Sequence, residues 1–547
     1  MRRGLDCVVI GYNDPPFERY AELLRQYGVD SPAYRDLKLS SVTLDGKMMG
    51  YVDLLNRSLG EAWGRDPRLR SGDIPSLAAA YLVSYLRRHG ASACYINLFQ
   101  EEKNRLAELL AEGPLCVAIT TTLYVLNFPV NEMVEFIRAM DPTGKVKIVV
   151  GGPLVANHVR NYQGGEGLDA ALQDLGADYY VCEAQGEATL AQLVRALRDG
   201  GDLAAVPNLY YFEAGRLVST AQAPENNSLD EHHVDWRLLA DHGLGATVQT
   251  RTARSCAFKC SFCNYPARAG KLTLASVETV QAELDALREA GVRNVVFIDD
   301  TFNVPLPRFK ALCQMMIRQN YPFRWFSYFR CSNSDAEAVE LMARSGCGGV
   351  FLGIESGSPT ILTNMDKAAT IEKYREGIRM LREHGILTFG SFITGFPGET
   401  DATVAETVDF LETTGLDYYR TQLWYCEHGT PIERRRELHG IEGEGFVWSH
   451  ATMDSLEAMD HIERIFLSVT GPIWLPQWSY DFWILPYLLG KGFQRDQLDG
   501  FHRQAQKLMA LEVATLSERD RQGRREALMA STVAAARTWQ ARNEVAL

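Results

Sequence analysis

The chain has 547 residues, 46% of them hydrophobic and 23% charged, with a net charge of −13. That length exceeds a single core and predicts two or three domains of ordinary globular composition. The acidic balance, with Arg434 to Arg436 as a lone basic run, excludes a nucleic-acid binder, and no apolar stretch reaches the ~18 residues of a membrane span.

The opening MRRGLDCVVIGYND has two arginines but too short an apolar run for a secretion signal. It reads as a first strand of a cytoplasmic protein. CVVIGY (7–12), CYINLF (94–99), LCVAITTTLY (115–124), KVKIVVGGP (145–153) and ADYYVCEA (177–184) are strand candidates. Helical stretches lie between them, among them SLAAAYLVSYLRRHG (76–90), closed by glycine, and 129–140. Apolar strands alternating with helices predict a parallel, Rossmann-like sheet over 1–212. About sixty residues, Asn13 to Pro75, interrupt it, a length that calls for structure of its own: a surface insertion or a cap over the ligand edge. Residues 213–245 read as a connector. Its polar run AQAPENNSLDEHH (221–233) puts His232 and His233 in a solvated loop with no ligand pattern around them.

A second series follows. ATVQT (246–250), NVVFID (294–299), RWFSYF (324–329), GVFLGIES (349–356), LTFGSFIT (387–394) and DYYRTQLW (417–424) recur about every 30 residues with helices between. Six such units predict a partial parallel (β/α)6 barrel over 246–431, with its chemistry at the carboxyl ends of the strands. The remainder, 432–547, reads as mostly helical. GPIWLPQWSYDFWILPYLLG (471–490), with Trp474, Trp478 and Trp483, suits core packing or a barrel plug, and the tail from Glu518 suits an exposed helix with a frayed end.

Eleven cysteines in a cytoplasmic chain do not make a disulfide framework. Eight are scattered, such as Cys116, Cys182 and Cys347, and read as small buried hydrophobes. The other three, Cys256, Cys260 and Cys263, form C-x3-C-x2-C in RSCAFKCSFCNYPARAG (254–270), just after the first barrel strand. A structural zinc site needs four protein ligands. Thiolates also hold iron–sulfur clusters, and three of them leave one iron of a four-iron cube open. Phe262, just before the third cysteine, can shield such a cluster.

This pattern resembles the signature of the radical S-adenosylmethionine (AdoMet) enzymes, and the later strand ends are similar to theirs in order and spacing. The resemblance, over roughly 245–432, implies a 4Fe-4S cluster on Cys256, Cys260 and Cys263, covered by Phe262. In FIDDTF (297–302), Asp299 or Asp300 would accept from the AdoMet ammonium. Arg330 would meet its carboxylate, Glu355 of GIES (353–356) its ribose, and SFITGFPGET (391–400), with Ile393 and Gly398, its adenine. EHGTP (427–431) resembles the turn after the sixth strand.

In the first half, Thr120, Thr121 and Thr122, the turn Gly151, Gly152, Pro153, and EAQGEAT (183–189) with Glu183, Gly186 and Glu187 resemble a cobalamin-binding domain. Glycines permit close backbone approach at the open edge of a doubly wound sheet. No D-x-H-x-x-G run occurs, which implies cobalamin held without a lower histidine. Together these features resemble the cobalamin-dependent (class B) radical AdoMet methyltransferases. DCVVIGYND and SPAYRDL (31–37) further resemble the PhpK-type branch, associated with phosphinate methylation.

The family implies that a radical from AdoMet removes hydrogen from a C–H or P–H bond of a small molecule, which then takes methyl from methylcobalamin. A flavodoxin or ferredoxin would supply electrons. Arg420, Tyr425 and Glu427 are candidate substrate contacts, with a salt bridge inside the barrel as the equal alternative for Arg420. A cobalamin-dependent cyclase or ring-contracting enzyme is the alternative.

Overall fold

The computed structural model describes residues 4–162, 167–476 and 483–539. Trp478 and the last residues of the tail lie outside them. The chain divides into two compact units, which do not follow the boundaries read from the sequence. The first joins Met1–Pro15, Gly72–Gly245 and Thr273–Ala290; the second joins Pro16–Ser71, Ala246–Leu272 and Gly291–Leu547.

The first unit is built on a seven-stranded sheet. Its strands are β1 (Cys7–Tyr12), β2 (Ala93–Leu98), β3 (Cys116–Thr120), β4 (Lys147–Gly151), β5 (Tyr179–Val181), β6 (Leu209–Glu213) and β7 (Arg216–Ser219), in the order β2-β1-β3-β4-β5-β6-β7. The first five are parallel, and β6 and β7 are antiparallel additions. Val8, Ile10, Val117, Ile119, Ile148 and Val150 are buried in its core, as a sheet with both faces covered requires. In this strand order the chain reverses direction between β1 and β3, and their carboxyl ends form the crevice where such folds bind ligands.

The stretch 213–245 holds the exposed loop its composition suggests, with 221–224 exposed, and more structure besides. Part of it is β7. Glu225 accepts from Ala188 N at 2.9 Å and Thr189 N at 2.7 Å, at the start of helix Glu187–Asp199. Buried Trp236 donates from Nε1 to Glu283 at 2.9 Å. Short-range polarity hid these long-range partners. His232 stacks on Tyr85, with ring centroids 4.8 Å apart.

The second unit holds a parallel sheet of β8 (Thr247–Thr250), β9 (Asn294–Phe297), β10 (Arg324–Tyr328), β11 (Cys347–Glu355), β12 (Leu387–Thr394), β13 (Tyr418–Leu423) and β14 (Ile473–Trp474), paired in sequence order. The expected six strands are present. β14, drawn from the aromatic 471–490 stretch, is a seventh, paired beside β13. From the same stretch, helix Ile484–Gly490 closes the amino ends of β8 and β9: Pro486 O accepts from Asn294 Nδ2 at 2.6 Å and from Thr247 Oγ1 at 3.3 Å. That is the plugging role expected of this segment.

The early insertion belongs to this second unit. Helix Pro32–Lys38 lies against β13, where Asp36 pairs with Arg420. The same guanidinium sits 4.3 Å from the Trp474 ring centroid, and Trp474 Nε1 donates to Leu39 O at 3.0 Å. Farther along, Tyr51 Oη lies 2.6 Å from His502 Nδ1 on helix Arg495–Val513. Burial pushes His502 down to about 3, so the ring is neutral and Tyr51 satisfies it. Tyr51→Phe is expected to cost about 1–2 kcal/mol, because a buried imidazole nitrogen loses its partner. Denaturant unfolding measures this, and an unchanged midpoint would remove the bond from the account.

Candidate active site

The cysteine loop is held from several sides within the second unit. At its start, buried Asp299 accepts from Thr252 N at 2.6 Å, Thr252 Oγ1 at 2.6 Å and Ala253 N at 2.9 Å. Ser255 turns the chain with φ 72° and donates to Gly270 O at 2.6 Å. Cys263 N donates to Cys260 O at 3.1 Å, a tight turn that brings the last two cysteines together. Between them Ser261 is clamped. Its N donates to Met365 O at 2.8 Å, its Oγ to Asn364 O at 2.8 Å, and its carbonyl accepts from Ile432 N at 2.8 Å. Cys256 Sγ lies 3.5 Å from Thr301 Oγ1.

All three cysteines are free thiols. Burial pushes Cys263 up to about 11, with the nearby Cys260, Asp300 and Cys256 adding to it, a setting that a positive cluster would relieve. Buried Asn264 Nδ2, one residue past the third cysteine, has no hydrogen-bond partner. An orphaned donor there fits sulfide or thiolate acceptors. Among the described residues, no three His, Cys, Asp or Glu side chains converge on a single ion position. A cube that takes one thiolate per corner does not require that convergence.

Around the loop the strand-end residues gather. The Arg330 guanidinium carbon lies 3.6 Å from the ring centroid of Phe258, inside the cysteine loop. Its backbone is pinned by Asn303, which accepts from Arg330 N at 3.0 Å and donates to Arg330 O at 3.0 Å. Arg330 Nη2 is buried without a partner. A buried guanidinium nitrogen in that state fits a carboxylate ligand. Of the two acidic candidates, Asp299 is occupied by the backbone of the loop. Asp300 is open to solvent, yet the surrounding protein, with the charge of Asp299 behind it, pushes its carboxyl up to about 7.

Glu355 ends β11 with φ 70°, beside a register shift between Gly353 and Glu355. This left-handed conformation turns the chain at the carboxyl end of the strand. Its Oε1 meets Lys367 Nζ at 2.9 Å, with both side chains nearly buried. Lys367 also lies 5.4 Å from the Phe262 ring centroid. Burial alone would lower the Lys367 ammonium, but Glu355 and then Tyr374 and Cys260 hold it above its usual range. Sequence reading missed Lys367, because a lone lysine in NMDKAAT belongs to no spacing pattern.

On β12, Ile393 is half-buried, and Phe396 meets Phe262 edge to face at 6.5 Å. The following turn is tight. Gly395 has φ 91°, and a Cβ there would lie 2.5 Å from Trp448 Cη2. Gly398, with φ 96°, borders the Asn364 amide, which donates to Pro397 O at 3.1 Å. Buried Glu399 accepts from Gly395 N. Burial pushes this carboxyl up to about 7 from 4.5, against backbone bonds that favour its charge. Its folded value is raised, so its contribution to stability is full below about pH 4.5 and is lost as pH rises through about 7. Glu399→Gln is therefore expected to flatten the decline of Tm between about pH 5 and 8. Thermal melts at stepped pH check this, and an unaltered slope rejects it.

The substrate candidates fare differently. Arg420 is only 1% exposed and is engaged by Asp36 and Trp474, the salt-bridge alternative rather than an anion contact. Tyr425 is 44% exposed and packs edge to face on Phe446, 4.9 Å away. Glu427 O accepts from Thr430 Oγ1 at 2.9 Å, forming the expected turn.

In the first unit, Thr120 and Thr121 are turned into the fold. Thr120 Oγ1 donates to Gly11 O at 2.8 Å, and Thr121 Oγ1 to Gly151 O at 2.9 Å. Gly152 has φ 111°, and a Cβ there would sit 2.8 Å from Thr121 Oγ1, so the backbone before Pro153 stays bare. Thr122, Leu123 and Val125 stand exposed on the same edge. A bare backbone beside exposed apolar side chains fits a large flat ligand such as a corrin. Glu183 and Glu187 instead face the 225–227 segment: Glu183 accepts from Glu225 N at 3.2 Å and Glu187 from Asn227 Nδ2 at 3.0 Å. Gly186, with φ 76°, starts the helix beside them.

A parallel barrel with a three-thiolate loop after its first strand, in a chain that also carries a doubly wound sheet, defines a class of barrel enzymes that handle a metal cluster. Comparison with known proteins narrows it. The Radical SAM superfamily pattern matches residues 250–411. An uncharacterised methyltransferase of Pyrococcus horikoshii is 31% identical over 357 residues, covering 63% of this chain and 74% of that one. An anaerobic magnesium-protoporphyrin IX monomethyl ester cyclase of Cereibacter sphaeroides is 26% identical over 365 residues, covering 62% of this chain and 56% of that one. Among solved structures, the radical S-adenosylmethionine methyltransferase TsrM of Kitasatospora setae, with cobalamin and a [4Fe-4S] cluster bound, superposes with a TM-score of 0.59 at 19% identity, covering 85% of this chain and 97% of that one. The chain belongs to the Radical SAM superfamily and is an enzyme. Its fold is the expected one: a Rossmann-like sheet, a parallel partial barrel and a mostly helical carboxyl-terminal part. No helix among the described residues is long and apolar enough to cross a membrane.

Proposed function

We propose that the protein is a cobalamin-dependent radical AdoMet methyltransferase acting on an unactivated carbon or a phosphinate phosphorus of a small molecule. The observation that supports this best is the cysteine loop with the unpartnered Arg330 nitrogen beside it. Cys256, Cys260 and Cys263 would hold a 4Fe-4S cluster, with Phe262 across it. Arg330 would bind the AdoMet carboxylate, Asp300 its ammonium, Glu355 its ribose, and the backbone from Ile393 to Gly398 its adenine. Thr122, Gly151, Gly152 and Pro153 would form the cobalamin edge, supported from behind by Thr120, Thr121, Glu183, Gly186 and Glu187. When bound, these groups supply an electron, a hydrogen-abstracting radical and a transferable methyl group. The chain's own work is to bind, orient and exclude water.

On this reading the Rossmann-like part of 1–212 serves cobalamin, 246–431 serves AdoMet, and 432–547 closes the barrel. A low-potential flavodoxin or ferredoxin would be the electron source. The Pyrococcus and TsrM relatives support methyl transfer. The PhpK-type resemblance keeps phosphinates among the acceptors. The Cereibacter cyclase keeps a second reading open, cyclisation without methyl transfer.

The test is AdoMet turnover by anaerobic protein reconstituted with iron, sulfide and hydroxocobalamin under a low-potential reductant. Methylcobalamin with S-adenosylhomocysteine is the expected outcome. 5′-Deoxyadenosine alone would move the cyclase reading to the front.

A further inference from the structure

Two side-chain donors stand at the cysteine loop. The first is Asn264, which directly follows the third cysteine and occupies the head of helix Tyr265–Ala269. Asparagine at that position ordinarily accepts from a backbone N–H of the first turn. Here it makes no such capping bond. Its backbone carbonyl accepts from Ala267 N at 3.1 Å and Arg268 N at 3.2 Å instead. The residue is 5% exposed, and its Nδ2 has no hydrogen-bond partner. A buried donor left in that state costs about 1–3 kcal/mol. The Tyr265 N–H meets the Cys263 sulfur, so the orphaned amide and the third cysteine share one end of the helix.

Thr301 is the second donor. Its Oγ1 lies 3.5 Å from Cys256 Sγ and donates to Asp300 O at 2.7 Å. A thiol has its own proton to give to Thr301. A cysteine that holds iron is a thiolate and only accepts. The Thr301 hydroxyl then has an anionic sulfur within reach in place of a neutral carbonyl, and charge-assisted hydrogen bonds are the stronger.

We propose that Asn264 and Thr301 are positioning residues for the cluster: each donates a hydrogen bond to its sulfur, and together they raise its reduction potential. The inference rests on the 4Fe-4S part of the proposed function and goes beyond it. Reduction adds one electron to a group that already carries three thiolates, and no bond is made or broken. Donors to sulfur favour the more negative state. Asn264 and Thr301 keep their protons throughout, so their part is to lower the demand on the external electron source.

The test is a potential, not a turnover. The reconstituted full chain, without AdoMet, is titrated with titanium(III) citrate in the presence of mediators, and the reduced cluster is read by electron paramagnetic resonance. Thr301→Val and Asn264→Leu keep the approximate shape of each side chain and remove its donor. Each is expected to lower the equilibrium constant for reduction about fivefold, a shift of about 40 mV for a one-electron couple. Thr301→Ser keeps the hydroxyl and is expected to keep the potential. Iron and sulfide contents equal to those of the unaltered chain report an intact loop. Unchanged potentials in both Thr301→Val and Asn264→Leu overturn the proposal, as does loss of the cluster from both, which would assign these side chains to holding the loop. If the potentials move as expected yet methylcobalamin never forms, the tuning stands and the methyltransferase reading falls. If the unaltered chain takes up no cluster, both fall.

Discussion

Lys367→Met is expected to weaken AdoMet binding by about 100-fold or more and to lower Tm. The ammonium is the direct partner of Glu355 at 2.9 Å, and the two side chains are only 8% and 11% exposed. Removing one member of a buried pair costs about 3–5 kcal/mol, because the remaining charge is left without compensation. Glu355 would then swing toward water and would no longer be held for the ribose hydroxyls. Lys367→Arg should retain much of the affinity. The double variant with Glu355→Gln should recover stability but not affinity, since it removes the stranded charge along with the ligand. Equilibrium binding of AdoMet and thermal melts on the same samples separate these effects. Wild-type affinity in Lys367→Met would remove this pair from the AdoMet site.

The second large effect is expected at Cys260. Cys260→Ala leaves two thiolates for a cube that needs three, so the reconstituted protein should lose most of its iron and sulfide and all AdoMet cleavage. The loop itself should survive. The backbone bonds of Ser261 to Met365 and Ile432 do not involve the thiol, and Cys260 is a small buried side chain. Iron content, the charge-transfer absorbance of the cluster and 5′-deoxyadenosine release are the measurements. Retained cleavage would falsify the cluster assignment outright.

Much of this site was legible because it is written locally. C-x3-C-x2-C, FIDDTF and GIES each sit within a few residues of a strand end, where period and turn chemistry are readable. Asp299 and Asp300 could not be told apart from sequence. Their difference arises from which carboxylate meets Thr252 and Ala253, a contact made only when β8 and β9 lie side by side. Lys367 was invisible for the same reason, since its partner is twelve residues away across a helix. Arg420 was left between an anion contact and a salt bridge because its partner, Asp36, lies in a segment that looked like an appendage of the other unit. In 213–245 the exposed loop was legible, but the contacts of Glu225 and Trp236 were not, because polar residues that cap a helix look like polar residues in water.

The Asp36–Arg420 pair also bears on how the chain is made. Its members are 384 residues apart in sequence, and Trp63 donates to the Ala536 carbonyl across 473. At ribosomal speeds of roughly 5–20 residues per second, residues 16–71 wait about 20–80 s for β13 to emerge. During that interval Leu37 can pack on Phe17, Leu24 and Tyr34, but Leu54, Leu55 and Leu59, fully buried in the finished protein, lack the late helices that their own helix packs against. The segment is therefore the natural client of a chaperone during synthesis. Slower growth temperature or added chaperone should raise the yield of active protein more than any change to the late helices.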